Sequence, residues 1–474
     1  MKNGILDRTL TNLWKVWGEF SQSTLGFIHG GPRPELPPED SERLFVEVEK
    51  CILGIGDEAS LRAQAAEIGQ VYIGLNEEGR QNFLIGLAKR FGVNREKVDR
   101  AIEAVKLAED PETDRAIAEV ELRKALEPDW RSLIGRFTTL PEGVKFLVDM
   151  RAEILSLQKR NNAVKGLSLD LRTMLAAWFD IGLLELVRID WDSSASLLEK
   201  LIEYESVHAI KSWDDMKNRL DADRRCYGFF HPNMPNEPLI FVQVALVDGI
   251  SANVEELLDE TKPAVDPKAV DTAIFYSISN AQRGLDGISF GNFLIKQVVE
   301  ELIKELPNLR TFSTLSPIPG FSAWLKGQII DNNCDLLTES DRKKLSIYNE
   351  QENDSDANLL RGVFDRVDNS KPEDLDSEDK LKEVFTRWVA IYLFNIKGKN
   401  GKVLDPVGHF HLSNGARIER INWNADTSIR GRGQSFGLMV NYLYDLKDIQ
   451  GNSSNYEANR IVAHSSGLRS ILRG

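Results

Sequence analysis

The spacing of apolar residues changes near the middle of the chain. From about residue 41 to 180, Ala, Ile, Leu and Val recur every three or four positions, as in SLRAQAAEIGQVYIGL and REKVDRAIEAVKLAE. This period is typical of amphipathic helices, and no alternating β-branched run interrupts it. Asn94 stands where the N-cap of the second segment is expected. The pattern predicts an all-helical bundle that serves as a scaffold or in oligomerisation.

The second half of the chain combines apolar runs with helical patterns. PLIFVQVALV and TAIFYSIS are apolar and β-branched, which is typical of buried strands. NFLIKQVVEELIKEL follows with a helical period, LRTFSTLSPIPGF is an extended run that ends at prolines, and SFGLMVNYLYDL predicts a later strand. The acidic stretch 349–380 is expected to be a solvated loop or a poorly ordered insertion.

These patterns predict an α+β multidomain chain. A length of 474 residues is too great for one simple core, which favours two domains. We assign residues 1–172 to the helical bundle and residues 173–474 to an α/β catalytic domain. Neither half contains a detectable internal repeat.

Charge and composition restrict the partners of the chain. The net charge is −14 and the pI is about 5.2, which argues against nucleic acid as the main ligand because phosphate binding favours a basic face. No run approaches the roughly 20 apolar residues of a membrane span. The three cysteines are far apart, as is usual in a reducing compartment. The first residues lack the apolar run of a signal peptide, so a cytoplasmic location is expected.

A glycine-containing loop between a predicted strand and a predicted helix is a candidate phosphate site. Free N–H groups at a helix start attract anions, glycine allows close approach to the backbone, and Arg283 adds positive charge. The loop matches neither GxGxxG nor GxxxxGK[ST]. It is similar to the loop that binds the coenzyme A diphosphate in GNAT acyltransferases. Gly287 and Ser289 fill the last two marked positions, and Gly284 stands where Arg or Gln is expected.

Two serines and two histidines are candidates for catalysis. Ser313 and Ser316 are three apart in an extended segment and therefore face opposite ways, so that only one is expected to line a pocket. No GxSxG elbow surrounds either serine. In a strand, His409 and His411 would share a face as a possible metal pair, but the other histidines are scattered and supply no third ligand. One histidine as a general acid is the more economical hypothesis, and a structural pair is the alternative.

Several strings, in this order, resemble the malonyl-CoA decarboxylase family. They are RCYGFFHP…EPLIFVQVAL, SISNAQRGLDGISFGNFLIKQVVEEL, FSTLSPIPGF and PVGHFHLSNGARIERINWNADTSIRGRGQSFGLMVNYLYDL. The resemblance implies a helical N-terminal domain used in oligomer contacts, a GNAT-fold catalytic domain, and a homotetramer built as a dimer of dimers. It also implies that Ser313 and His411 form the catalytic pair. Coenzyme A would bind at Arg283, Gly284, Leu285, Asp286, Gly287, Ile288 and Ser289.

The implied reaction converts malonyl-CoA to acetyl-CoA and CO2, and it suits a chain without cofactor motifs. The substrate is a β-carboxy thioester, so loss of CO2 leaves an enolate whose charge lies on the thioester oxygen. No metal or organic cofactor is required. We expect His411 to protonate C2 or, through water, the enolate, and Ser313 to position the carboxylate or relay the proton. Asn414, Asn422 and Tyr442 are candidates for supporting hydrogen bonds, and a turn is expected at Asn414 and Gly415.

Three alternative functions remain open at this stage. A GNAT acyltransferase would share the fold and the loop but would need an acceptor amine. A non-catalytic acyl-CoA sensor would bind malonyl-CoA without turning it over. An HxH metalloenzyme would lose activity in the presence of a chelator. Malonate metabolism and fatty acid metabolism are the two physiological roles that the resemblance suggests.

Overall fold

The chain divides into two compact units in the computed structural model. The model describes residues 13, 15–18, 31–108, 110, 114–179, 181–288, 294–330, 336–348, 356–375 and 378–471. We call the first the helical unit; it comprises the described residues of 1–185, 230–239 and 281–289. The second, the sheet unit, comprises those of 186–229, 240–280 and 290–474. The boundary between residues 172 and 173 stays a prediction.

The described part of the helical unit consists largely of α-helices, as the three- and four-residue period predicts. Asn94 is the N-cap of the fourth helix, and its side chain accepts a hydrogen bond from the Lys97 N–H, which confirms the predicted start. The helices are α1 Pro38–Leu53, α2 Glu58–Gly74, α3 Glu77–Arg90, α4 Arg95–Leu107, α5 Asp114–Ala125, α6 Trp130–Phe137, α7 Gly143–Leu157 and α8 Lys165–Trp178.

Aromatic rings form much of the core of the helical unit. The ring of Phe146 on α7 lies 4.9 Å from that of Trp17, 5.0 Å from that of Phe137 and 5.7 Å from that of Tyr72, each in an edge-on arrangement. Such edge-to-face pairs add attraction beyond the burial of apolar area. Burial of these rings therefore holds helices from distant parts of the sequence together.

The sheet unit is built on an eight-stranded sheet. The strand order is β1-β2-β3-β4-β5-β8-β6, and β7 pairs with β8 outside this path. The β4–β5 pair is parallel, whereas β2–β3, β3–β4 and the pairs made by β8 are antiparallel. The strands are β1 Glu185–Ile189, β2 Arg224–Phe230, β3 Ile240–Val247, β4 Thr272–Asn280, β5 Thr311–Thr314, β6 Ser316–Pro317, β7 Arg417–Asn422 and β8 Met439–Leu443.

The helices of the sheet unit include the long pattern predicted after β4. Together with the sheet, they confirm the predicted α+β fold class. The helices are α9 Ala195–Tyr204, α10 Trp213–Asn218, α11 Val254–Leu258, α12 Leu294–Glu305, α13 Phe321–Ile330, α14 Glu339–Leu345, α15 Asp356–Asn369, α16 Pro372–Leu375, α17 Asp379–Asn395, α18 Pro406–Ser413, α19 Ile429–Ser435, α20 Ile449–Asn459 and α21 Ser466–Ile471. Within the described ranges, every helix is too short or too polar to cross a membrane.

The acidic stretch is more ordered than its composition suggests. The prediction of a solvated loop or poorly ordered insertion over 349–380 is wrong for α15, which buries Leu360, Val363 and Val367. These residues recur at the three- and four-residue spacing of an amphipathic helix, with the acidic side chains between them. Residues 349–355, 376 and 377 lie outside the described part of the chain.

Candidate active site

His411 lies on a short helix whose ends are defined by its sequence. The Asp405 side chain caps α18 by accepting a hydrogen bond from the Gly408 N–H at 2.8 Å, and proline occupies the first helical position. The helix ends at Ser413 with Asn414 as its C-cap, and Gly415 follows with φ +81°. A Cβ on Gly415 would lie 2.1 Å from the Ile449 carbonyl oxygen, so only glycine fits this turn.

The HFH segment lies on a helix, so the strand geometry that would place its two histidines on one face does not apply. Residues two apart on an α-helix point roughly 200° apart, so His409 and His411 do not share a face. The expected turn at Asn414 and Gly415 is present as the end of α18 rather than as a hairpin. The Ala416 N–H donates to the His411 carbonyl oxygen at 3.1 Å, and β7 begins at the next residue.

The structure brings Ser316 to His411. The Ser316 Oγ and the His411 Nε2 are 3.0 Å apart, and both side chains are buried. Ser316 lies on β6, where it pairs with Val440 of β8. Its hydroxyl also donates to the Thr314 Oγ1 at 2.9 Å. A hydroxyl has one hydrogen, so in this arrangement the His411 Nε2–H donates to the Ser316 Oγ.

The predicted partner, Ser313, makes different contacts. Its hydroxyl hydrogen-bonds to the carbonyl oxygens of Tyr442 at 3.2 Å and Thr314 at 3.3 Å, and the side chain is fully buried. Ser313 lies opposite Leu443 in the β5–β8 pair, so it interacts with the main chain of β8. The Ser313 hydroxyl is therefore bonded to main-chain carbonyl groups, whereas the histidine bonds to the serine three residues later.

A second hydrogen bond fixes the other side of the imidazole. The Tyr444 hydroxyl lies 2.7 Å from the His411 Nδ1, and it is the donor when Nε2 carries the ring hydrogen. The ring of Tyr442 stacks on the imidazole at 4.5 Å between centroids. Tyr442 is the tyrosine predicted for a supporting hydrogen bond, and its contact with His411 is ring stacking, whereas Tyr444 is not among the predicted residues. The alternation in YLY could have indicated both, because residues two apart in a strand share a face.

The imidazole of His411 is held neutral. Burial lowers its pKa to about 3, because the surroundings cannot solvate a positive charge. Burial also raises the pKa of the Tyr444 phenol well above its ordinary value. At neutral pH the site therefore contains an uncharged chain of hydrogen bonds from Tyr444 through His411 and Ser316 to Thr314.

His409 and the predicted asparagines contact neighbouring elements. The His409 Nδ1 lies 3.0 Å from the Tyr456 hydroxyl of α20, so this side chain connects α18 to α20. The Asn414 Nδ2 donates to the Phe410 carbonyl oxygen at 2.8 Å and holds the end of α18. The Asn422 Nδ2 donates to the Asn441 Oδ1 at 2.8 Å. Among the residues that the structure describes, no three His, Cys, Asp or Glu side chains are grouped to hold a metal ion.

The predicted coenzyme A loop belongs to the helical unit, apart from Ser289, which lies outside the described residues. A short 3₁₀ turn spans Arg283–Leu285, and Leu285 is buried. Gly284 is packed so closely against α7 that a Cβ would lie 1.8 Å from the Val148 carbonyl oxygen. Gly287 has φ +77°, in the left-handed region that favours glycine. Both glycines are therefore required by the shape of the loop.

Three arginines lie in or beside this loop. Arg151 of α7 donates to the carbonyl oxygens of Gly284 and Asp286, and Arg172 of α8 donates to that of Gly287 at 3.1 Å. Arg151 is buried, whereas Arg172 and Arg283 are exposed to solvent. Two internal bonds, from the N–H groups of Asp286 and Ile288, complete the turn. Two exposed guanidinium groups therefore remain accessible to an anion at this loop.

A separate cavity of about 630 Å³ lies within the sheet unit. Side chains of α10, α11 and the segment around Arg430 line it, together with the buried His208. Neither Ser316 nor His411 is part of its lining. This cavity is therefore not included in the candidate active site.

Comparison with known proteins gives the family. Residues 182–474 match the malonyl-CoA decarboxylase C-terminal domain, and residues 91–179 match the corresponding N-terminal domain. A protein of Rattus norvegicus named "Malonyl-CoA decarboxylase, mitochondrial" is 38% identical over 430 residues, which cover 87% of this chain and 86% of that protein. A protein of the same name from Anser anser anser is 38% identical over 86% of this chain and 83% of its own length.

Solved structures agree with these matches. The crystal structure of malonyl-CoA decarboxylase from Rhodopseudomonas palustris is similar with a TM-score of 0.82 and 41% identity, over 91% of this chain and 99% of that chain. The crystal structure of malonyl-CoA decarboxylase from Agrobacterium vitis has a TM-score of 0.79 and 37% identity, over 90% of this chain and 99% of that chain. The sequence resemblance is thus confirmed, and this chain belongs to the malonyl-CoA decarboxylase family of carboxy-lyases.

Proposed function

We propose that this chain converts malonyl-CoA to acetyl-CoA and CO2, with Ser316 and His411 as the reacting pair. The observation that carries the assignment is the 3.0 Å hydrogen bond between the Ser316 Oγ and the His411 Nε2 in a buried site. Ser313, which the family resemblance suggested, is replaced in this role because its hydroxyl is bonded to main-chain carbonyl groups.

The substrate supplies its own electron sink. The bond between C2 and the carboxyl carbon breaks, its electron pair forms the enolate double bond between C1 and C2, and CO2 leaves. The thioester oxygen carries the negative charge, so the reaction needs no metal or organic cofactor. The carboxylate charge disperses as the bond breaks, and a weakly solvating pocket therefore favours the transition state over the bound carboxylate.

The pair then returns a proton to C2. Because burial keeps His411 neutral, an imidazolium ion is not the acid at neutral pH. An enolate carbon is a strong base, so the Ser316 hydroxyl can rotate from the Thr314 Oγ1 towards C2 and protonate it, while the His411 Nε2–H replaces the lost hydrogen. Tyr444, bonded to Nδ1, stabilises the charge left on the ring. A proton taken up from solvent then restores the neutral imidazole, and this is the one proton that the overall decarboxylation consumes. A positioned acid of this kind accelerates the reaction roughly 10²–10⁴-fold.

We further propose that the loop from Arg283 to Ser289 binds the coenzyme A diphosphate. The exposed guanidinium groups of Arg172 and Arg283 supply positive charge, and Arg151 keeps the loop in shape through two carbonyl groups. The crossover from β4 through α12 to the parallel strand β5 supports a GNAT-like catalytic domain. Removing both exposed arginines should raise the KM for malonyl-CoA about tenfold or more and leave kcat little changed.

The decisive experiment offers malonyl-CoA as the sole substrate. Purified protein in a chelating buffer should release CO2 and form acetyl-CoA without an acceptor, and His411→Asn should reduce kcat about 10²–10⁴-fold while the fold is retained. Turnover only after addition of an amine would indicate the acyltransferase instead. Binding without turnover would indicate an acyl-CoA sensor, and loss of activity in chelator would indicate a metalloenzyme.

The family resemblance also supports self-association, and we propose a homotetramer arranged as a dimer of dimers. Sedimentation velocity of the purified chain tests this, with a monomer as the contradicting result. A cytoplasmic location also stays a proposal, since the names of the rat and goose relatives assign those proteins to mitochondria. Localisation of the tagged full chain would decide between these compartments.

A further inference from the structure

A buried carboxylate lies between the two segments that carry the reacting pair. Asp405 is fully buried, and its Oδ1 accepts from the Gly408 N–H at the start of α18. Its Oδ2 accepts a long bond of 3.5 Å from the Gly320 N–H, and the Tyr392 hydroxyl of α17 donates to the same carboxylate. Gly320 is four residues after Ser316, and Asp405 is six residues before His411.

Helix capping alone does not account for this residue. Asp57 and Ser212 cap α2 and α10 through the same type of bond, and neither is fully buried. Serine or asparagine caps a helix about as well as aspartate does, without the cost of burying a carboxylate. Within the described residues, no Lys or Arg forms an ion pair with Asp405. This position therefore requires a group that accepts from four donors at once, the N–H groups of Val407, Gly408 and Gly320 and the Tyr392 hydroxyl.

We propose that Asp405, together with Tyr392, is a positioning residue that sets the separation of Ser316 and His411. The carboxylate joins the turn that follows Ser316 to the helix that carries His411, and Tyr392 holds it from a third element. The hydrogen bond between Ser316 and His411 forms only at one separation and orientation of the two side chains. A small movement of the turn that follows Ser316 relative to α18 therefore breaks the proton relay. This inference rests on the proposed function.

The packing at Gly320 provides a specific test. A Cβ at this position would lie 2.2 Å from the Tyr392 hydroxyl oxygen, 3.4 Å from the ring carbon that carries it and 3.7 Å from the Asp405 Oδ2. The hydroxyl is therefore the one severe obstacle to an added methyl group. Removing it with Tyr392→Phe should let alanine fit at 320 without displacing the turn.

The first experiment compares Asp405→Asn with Asp57→Asn, which alters an exposed helix cap of the helical unit. Asparagine keeps the cap at Gly408 but cannot accept from both Tyr392 and Gly320. Asp405→Asn should lower kcat about tenfold to a hundredfold, as small misplacements of reacting groups do. The KM for malonyl-CoA should change less than about threefold, because coenzyme A provides most of the binding. Asp57→Asn should leave both constants unchanged.

The second experiment measures Gly320→Ala in two backgrounds, and it decides the matter even if Asp405→Asn does not fold. With Tyr392 present, Gly320→Ala should lower kcat at least about tenfold. In the Tyr392→Phe background, adding Gly320→Ala should lower kcat less than about twofold relative to Tyr392→Phe alone. Equal losses in the two backgrounds, or a folded Asp405→Asn with normal kcat, would overturn the inference. A wild-type chain that does not decarboxylate malonyl-CoA would refute the proposed function instead.

Discussion

The aromatic core of the helical unit and the candidate active site are buried to a similar degree but differ in chemistry. Around Phe146 the neighbours are rings, and their contacts are apolar. Around His411 the neighbours are hydroxyl groups that form a continuous chain of hydrogen bonds from Tyr444 to Thr314. Burying polar groups contributes little net stability even when every bond is made. The first region therefore stabilises the fold, whereas we propose that the second serves the reaction.

The largest effect on stability is expected in the aromatic core. Phe146→Ala removes a ring that contacts three others and should lower the free energy of unfolding by about 3–5 kcal/mol. The kcat of the molecules that remain folded should be unchanged. Urea unfolding together with assays on folded protein measures both effects. Leu169→Ala, at an exposed position of α8, is the matched control, and a cost below about 1 kcal/mol for Phe146→Ala would contradict the comparison.

An intermediate effect should appear when stability is measured against pH. The pKa of His411 is about 3 in the folded chain and about 6.5 when unfolded, so below pH 6.5 the unfolded state binds the extra proton. This contribution to stability is present above pH 6.5 and is lost as the pH falls towards 3. Between pH 6.5 and 5, the wild type should lose roughly 2 kcal/mol more than His411→Gln. Parallel urea titrations at the two pH values test this, and equal losses would mean that His411 is solvated in the folded protein.

The smallest effect is expected at the distal end of the hydrogen-bond chain. Tyr444→Phe keeps the ring but removes the hydroxyl that bonds to the His411 Nδ1. The kcat should fall about tenfold, equivalent to roughly 1.4 kcal/mol, with little change in KM. Tyr456→Phe, which removes the hydroxyl that contacts His409, is the matched control and should retain most of its activity. A similar loss in the two variants would indicate that Tyr444 acts through packing alone.

Local signals along the chain predict the elements of the fold more readily than they predict the site. The period of the first half predicts its helices, because helix formation depends on neighbours three and four residues away. Asp405 followed by Pro406 is also a local signal for the start of a helix, and it indicates α18 correctly. The apolar spacing of Leu360, Val363 and Val367 likewise indicates α15 within an acidic background.

Local patterns do not predict the contact between Ser316 and His411. Ser316 and His411 are separated by 95 positions, and their contact depends on how β6 and α18 meet β8. Sequence spacing shows that Ser313 and Ser316 face opposite sides, but it does not show which side faces the histidine. The bond between the Ser313 hydroxyl and the Tyr442 carbonyl oxygen comes from the β5–β8 register, which no local pattern encodes.

The most direct test of the account compares Ser316→Ala with Ser313→Ala for decarboxylation of malonyl-CoA. The two substitutions remove the same hydroxyl from buried positions three residues apart, so each is the control for the other. Ser316→Ala should lower kcat about 10²–10⁴-fold, and Ser313→Ala should lower it less than about fivefold, because it loses only bonds to the main chain. The reverse order, with Ser313→Ala inactive and Ser316→Ala near normal, would contradict the assignment of Ser316 as the partner of His411.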